Sequence, residues 1–371
     1  MRSLTHDAGP STLGDKTDLI LVFGDRNLIQ DDKIFAGLKE YHPKAVIIGC
    51  STAGEIMEER VSDGKLIATF VQFEKSKIRD YSTRIETSEQ SFEKGREIGA
   101  AFPSEDLQHV FVLSDGLKVN GSELVAGLSK ALPLNVRITG GLAGDGTQFK
   151  ETFVCHNGPG ISGQISAIGF YGSNLRIGFG SLGGWDTFGP QRIITRSNKN
   201  ILYEMDGYSA LEIYKKYLGE HAANLPSSGL LFPLSITTAP DRASVVRTIL
   251  AVNEEEQSII FAGDIPQGAK AQLMKANFNR LIDGAIGAAR ISYQHLDNRS
   301  AELAILISCV GRKMVLKQRV EEEVEGVRDV LGPHATMTGF YSYGEISPMT
   351  TGDANCELHN QTMTITTLQE V

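Results

Sequence analysis

The chain alternates short runs of unbroken apolar residues with longer stretches of helical period. LILVF at 19–23 and AVIIG at 45–49 read as buried strands, with a helix over 31–41 between them that closes at His42-Pro43. GCSTAGEI at 49–56 then turns the chain, and KLIATFVQF at 65–73 alternates as a further strand. The same order recurs. HVFVL at 109–113 leads to a helix with Asn120 at its N-cap and Glu123 three residues on, which stops at Pro133. VRITG enters GGLAGDG at 140–146, and strands follow in ETFVCHNG and GQISAIGFYG. A third copy opens with LAILISC at 303–309. Its helix sets Val320, Val324, Val327 and Leu331 on one side and the glutamates on the other, and Gly332-Pro333 ends it. ATMTG enters GFYSYGEI at 339–346, and ELHNQTMTITTL supplies the closing strand. The pattern predicts a repeated strand-helix-strand-turn-strand unit, with the two Gly-Glu-Ile turns in equivalent places.

Thr87 and Gln90 form a capping-box pair before a helix through 102, and Phe278, Leu281, Ile282, Ala285, Ile286 and Ala289 make a helical stripe. Residues 175–206 are β-like and glycine-rich, 208–218 read as helix, and 230–263 as further strands. Strands outnumber helices and many are joined by short turns. This predicts a mixed α/β (α+β) fold with mixed, largely antiparallel sheets covered by helices. The seam at 205–208 divides it into related domains over 17–205 and 206–371.

Composition narrows the class. A chain of 371 residues suits roughly two domains of about 150 residues. A net charge of −9 excludes a general binder of phosphate backbones. The N-terminal 18 residues lack the apolar core of an export signal, and no membrane-spanning run is found. Cys50, Cys155, Cys309 and Cys356 form no CxxC pair, as in reduced cytoplasmic proteins. The eight histidines are scattered without an HExxH or HxxxH, so a metal site is not expected. No P-loop or strand-following GxGxxG is present.

Candidate chemistry gathers at the turns. Glycine lets a backbone approach a ligand closely. Cys50, Ser51, Thr52, Gly54 and Glu55 belong to the first turn, Gly141, Gly144 and Asp145 to the second, and Tyr341, Tyr343 and Glu345 to the third. A turn needs its glycine, but not the glutamate after it. In the last unit Arg312 follows a strand end, while His359 and Gln361 begin the closing strand. Alternate strand residues share a face, so Tyr341, Tyr343 and Glu345 are expected to point together. An arginine fork for a carboxylate and a glutamate for an amine suit a small polar or zwitterionic ligand. A solvated sheet face is the plainer alternative. An enzyme using Glu55, Glu345 or a cysteine is the enzymatic alternative, the thiol being activated as Cys50 with Glu55 or Cys309 with His359. No catalytic constellation is complete, so an enzyme is not expected.

AVIIGCSTAGEI, GGLAGDGTQF and the paired GFYSYGEISP and HNQTMTI together resemble the FIST proteins, which combine FIST N-terminal and C-terminal domains. The resemblance runs from about Asp18 to Glu370. It implies a cytoplasmic bacterial or archaeal signal-input protein. Such a protein senses a small molecule, with amino acids proposed as ligands. It acts on a separate partner: a histidine kinase, a chemoreceptor or a cyclic-di-GMP enzyme. One branch of the family binds haem and senses nitric oxide. Haem needs one good axial ligand, and His359 is the histidine inside a family-like motif.

Overall fold

The computed structural model describes residues 16–239, 244–348 and 356–371, and the backbone of 2–7. Part of the N-terminal stretch read for an export signal, and 240–243 of the β-like 230–263 region, lie outside the described residues.

The first unit comprises β1 (Leu19–Gly24), α1 (Asp32–Tyr41), β2 (Val46–Ser51), β3 (Glu55–Met57), β4 (Leu66–Gln72) and β5 (Lys77–Arg84). The second comprises α2 (Ser91–Ala101), β6 (Leu107–Ser114), α3 (Gly121–Ala131), β7 (Arg137–Leu142), β8 (Val154–His156), β9 (Gln164–Tyr171) and β10 (Leu175–Leu182). The third comprises α4 (Phe278–His295), β11 (Leu303–Cys309), α5 (Val310–Leu316), α6 (Val320–Leu331), β12 (Thr336–Ser342), β13 (Gly344–Pro348), β14 (Cys356–His359) and β15 (Met363–Glu370). The helices begin where capping residues stand: Asp31, Asn120 and Asn277 each accept a first-turn backbone N–H. The last apolar stripe, Val320 to Leu331, lies in α6 alone, and Lys317 at φ +52° separates it from the short α5.

The three units share the same strand pairing. β1 lies parallel to β2 and antiparallel to β4. β6 stands likewise between β7 and β9, and β11 between β12 and β15. Gly49, Gly140 and Gly339 occupy the same place in the three copies. At each, an added Cβ would lie 1.8 Å from a carbonyl oxygen of the parallel neighbour, that of Val22, Val112 or Leu306. No side chain fits there.

The strand after each turn leaves its own unit. β3 of the first unit pairs with β12 of the third, β13 of the third with β7 of the second, and β8 of the second with β2 of the first. The exchange closes a ring. A second exchange runs between units: β5 adds to β9, and β10 adds to β15. Leu21, Phe23, Ile48, Phe111, Leu113, Ile305, Ile307 and Phe340, from all three sheets, form one buried cluster. Ile20 and Val22, alternate to Leu21 and Phe23, instead pack with Phe35 and Leu38 of α1. Period-two alternation thus turns one face of each sheet to the shared centre and the other to helices. Each buried Leu or Phe contributes about 1.5–3 kcal/mol.

Between the second and third units lies an inserted eight-stranded sheet running from Trp185 to Ala276. Its core contains Ile194, Leu202, Leu211, Tyr214, Leu234 and Leu273. The expected helix at 208–218 is present as Ala210–Leu218. Met205 pairs with Tyr208, so residues 205–208 form a hairpin tip within this sheet. No helix among the described residues is long and apolar enough to cross a membrane.

Candidate ligand site at the strand-end turns

The strand exchange brings the three turns together, and backbone hydrogen bonds lock them. Ala53 N–H donates to the Tyr341 carbonyl at 2.8 Å, and Tyr341 N–H to that of Gly54 at 2.8 Å. Gly144 N–H donates to Ser51 at 2.9 Å, Gly146 N–H to Thr52 at 3.1 Å, and Tyr343 N–H to Leu142 at 3.3 Å. Most N–H groups at this junction therefore serve the neighbouring turn.

The two Gly-Glu-Ile turns repeat one side-chain device. Thr52 Oγ1 donates to Glu55 Oε1 at 2.7 Å, and Ser342 Oγ donates to Glu345 Oε1 at 2.6 Å. Both carboxyls are buried. Glu55 also accepts the Lys65 N–H at 3.2 Å, and burial raises its pKa. Glu345 accepts the Thr362 N–H at 3.1 Å and the Thr362 hydroxyl at 2.9 Å. Burial pushes Glu345 up to about 8, against the pull of those donors. Asp145 behaves differently. It accepts the N–H groups of Phe149, Lys150 and Glu151 and the hydroxyl of Tyr343, so it ties its own loop. Phe149 stacks on Tyr343 with ring centroids 4.5 Å apart.

Arg312 and Tyr341 meet through Glu323, a residue that the helical pattern assigns to a solvated face. The structure instead buries Glu323 fully in α6. Its Oε2 accepts from Arg312 Nη2 at 2.7 Å, and its Oε1 from Tyr341 at 2.7 Å and Ser308 at 3.1 Å. Arg312 Nε also donates to Glu323 Oε2 at 3.1 Å, and Nη1 and Nη2 reach the carbonyls of Gly183 and Leu281, each at 2.7 Å. The signal was the spacing: 323 follows Val320 by three and precedes Val327 by four, on the flank of the apolar stripe. Strand alternation does not gather Tyr341, Tyr343 and Glu345. Their polar ends go to Glu323, Asp145 and Thr362, because the chain passes from one sheet to another between Ser342 and Gly344.

The remaining residues are structural neighbours of this centre. Ser51 Oγ accepts the Phe153 N–H at 2.9 Å. Gly54, at φ +134°, leaves room for the Lys313 ammonium, which a Cβ would approach to 2.2 Å. Gly141 faces Ile307, and Gly144 faces Ala53. Cys50 and Cys309 are buried, and burial pushes both thiols up, away from thiolate.

The closing HNQT segment meets the inserted sheet. Half-buried His359 donates from Nε2 to the Ser347 carbonyl at 3.1 Å, and burial pulls its pKa down to about 4. Asn360 Oδ1 accepts the Thr248 N–H at 3.3 Å, and its Nδ2 donates to the Tyr343 carbonyl at 3.3 Å. Arg247 donates to the Leu358 carbonyl at 2.9 Å. Gln361 takes φ +64° and lays its amide over Gly311. Its Nε2 donates to the Leu230 carbonyl at 3.0 Å, and Trp185 Nε1 donates to the Gln361 carbonyl at 3.1 Å. Gln361 Oε1 and Thr248 Oγ1 are buried without a partner among the described residues. Buried acceptors are rarely left so. Sequence patterns gave no hint of Thr248, Arg247 or Trp185, which arrive from a separate sheet. No group of three or more metal-binding side chains occurs among the described residues.

These features define a tandem-domain α/β protein whose buried polar groups collect at strand-end turns and at the seam with an inserted sheet. Residues 18–208 match the FIST N domain and residues 210–348 the FIST C domain. The chain belongs to the FIST family, whose domains are sensory, ligand-binding domains. An uncharacterized protein of Methanocaldococcus jannaschii is 24% identical over 326 residues, covering 81% of this chain and 61% of that protein. The chain thus spans under two thirds of that relative's length. A crystal structure of cyanuric acid hydrolase from A. caulinodans aligns with a TM-score of 0.37 at 9% identity, covering 100% of this chain and 99% of that one. A second cyanuric acid hydrolase structure gives a TM-score of 0.18 at 11% identity, covering 80% of this chain and 100% of that one. Likeness at this level bears on neither fold nor function.

Proposed function

We propose that this FIST protein senses a small polar metabolite, such as an amino acid, and regulates a separate signalling partner, such as a histidine kinase or a cyclic-di-GMP enzyme. The observation that carries the reading is Gln361 Oε1 and Thr248 Oγ1, buried where the third unit meets the inserted sheet and without a hydrogen-bond partner among the described residues. A ligand ammonium or amide would supply the missing donors. Glu345 accepts from Thr362, the residue next to Gln361, and burial pushes it up to about 8, so a cationic ligand would favour its ionised form. The seam joins two separately packed bodies, so occupancy there shifts their relative stability, which a partner can read.

Thermal-shift screening of the purified chain against amino acids and related amines tests this. Stabilisation by one of them, lost in Gln361→Met, is expected. No shift from any of them rejects the amino-acid reading. The haem-based alternative rests on His359, whose Nε2 is held by the Ser347 carbonyl, and the thiol-enzyme alternative on cysteines kept from ionising. Neither arrangement favours those alternatives.

A further inference from the structure

A second polar constellation lies away from the turns. Among the described residues strand β5 pairs only with β9, at the edge of its sheet. Tyr81 and Thr83 on one face bond to Glu97 and Lys94 of α2. Asp80 and Ser82 lie on the other face, with Ile78, which packs on the central cluster. The exchange of β8 into the first sheet carries His156 against that face. His156 Nε2 stands 2.6 Å from Asp80 Oδ2, and Nδ1 stands 3.0 Å from Ser82 Oγ. A carboxylate only accepts, so Nε2 holds the ring proton and Nδ1 offers its lone pair to the Ser82 hydroxyl. Asn157 Nδ2 donates a second bond to Asp80 at 3.1 Å. Lys39 Nζ bonds Asn157 Oδ1 at 3.1 Å, adding a cation beside the carboxylate. The hydrogen bond from His156 lowers the Asp80 pKa, which keeps it ionised. The His156 and Asp80 side chains keep 20% and 29% of their exposure, so the line is reachable from solvent.

We propose that Ser82, His156 and Asp80 form a hydrolytic site for small carboxylic esters, separate from the ligand site at the turns. Hydroxyl, imidazole and carboxylate stand in the relay order that activates a serine nucleophile. Ser82 Oγ bonds to the ester carbonyl carbon while its proton passes to His156 Nδ1. The bond from that carbon to the alcohol oxygen then breaks, and the proton passes from Nδ1 to the departing alkoxide. Water attacks the acyl-serine by the same route, releases the carboxylic acid and restores the Ser82 hydroxyl. Asp80 is a positioning residue: it holds the tautomer and stabilises the imidazolium. Ser82 is half-buried between two sheets, which restricts the acyl group to a short one.

The test uses the full chain with a fluorophosphonate probe and 4-nitrophenyl acetate. One probe per chain is expected, on the peptide carrying Ser82. Ester turnover should fall at least tenfold in Ser82→Ala and in His156→Gln, and stay unchanged in Thr83→Ala on the opposite face. Asp80→Asn should slow labelling and remove the low-field imidazole N–H proton resonance. Absence of labelling, labelling at another serine, or equal turnover in a folded Ser82→Ala overturns the proposal. If Ser82→Ala does not fold, the labelled peptide of the unaltered chain decides.

Discussion

Arg312 and Glu323 form an ion pair with neither side chain exposed, Nη2 to Oε2 at 2.7 Å. The same guanidinium holds the carbonyls of Gly183 and Leu281, which flank the inserted sheet on its two chain crossings. The pair thus fastens both ends of the insertion to the third unit. Removing one partner leaves a buried charge, which costs about 3–5 kcal/mol. Glu323→Ala should lose about that much in urea unfolding. Arg312→Met combined with Glu323→Leu should lose less than the sum of the single changes.

Gly49, Gly140 and Gly339 make the repeat testable. Alanine at any of them sets Cβ 1.8 Å from a backbone carbonyl, so each should prevent folding or unfold the chain at ambient temperature. A Cβ added at Gly37 in α1 would meet nothing within 4 Å, and Gly37→Ala should be neutral or stabilising by up to about 1 kcal/mol. Circular dichroism melts of the four variants check the contrast.

Glu345 sets a pH dependence on the alkaline side. Its folded pKa is raised to about 8 from a reference of 4.5. The folded state therefore binds the extra proton between those values, and stability is fully present below 4.5 and falls as pH rises through 8. Glu345→Gln should flatten the unfolding free energy between pH 5 and 8 relative to the unaltered chain. An equal slope in both would separate Glu345 from the effect.

The acid side depends on other groups. Burial holds His109 down to about 3 and His359 to about 4, from 6.5. The unfolded chain binds those protons first, so stability present above 6.5 is lost as pH falls towards 4 and 3. Glu370, held at about 2, accepts the N–H groups of Glu74, Lys75 and Ser76 and adds a loss below 4.5. His109→Gln, which keeps a polar partner for Thr139, should reduce the slope between pH 4 and 6 in denaturant titrations.

Much of the local structure was legible in the chain. Apolar runs such as LILVF and LAILISC fixed the buried strands, because only a central strand buries both faces. Asp31 and Asn120 marked helix starts through orphan N–H groups that any helix must satisfy, whereas the cap at Asn277 went unread. The equivalence of GCSTAGEI and GFYSYGEI was visible too, and the paired hydroxyl–glutamate bonds give it a physical form. What the sequence could not decide was which sheet each strand after a turn would join. Register within a unit follows from alternation, but β3, β8 and β13 all leave their units, and pairing across hundreds of residues carries no local signature. That exchange turned Tyr343 towards Asp145 of the second unit and away from Tyr341, which meets Glu323 within its own unit. It set His156 beside Asp80 and Ser82, and the packing of the inserted sheet set Thr248 beside Asn360. Local hydrogen bonding and burial determined the units; non-local strand exchange and sheet packing decided which polar groups meet.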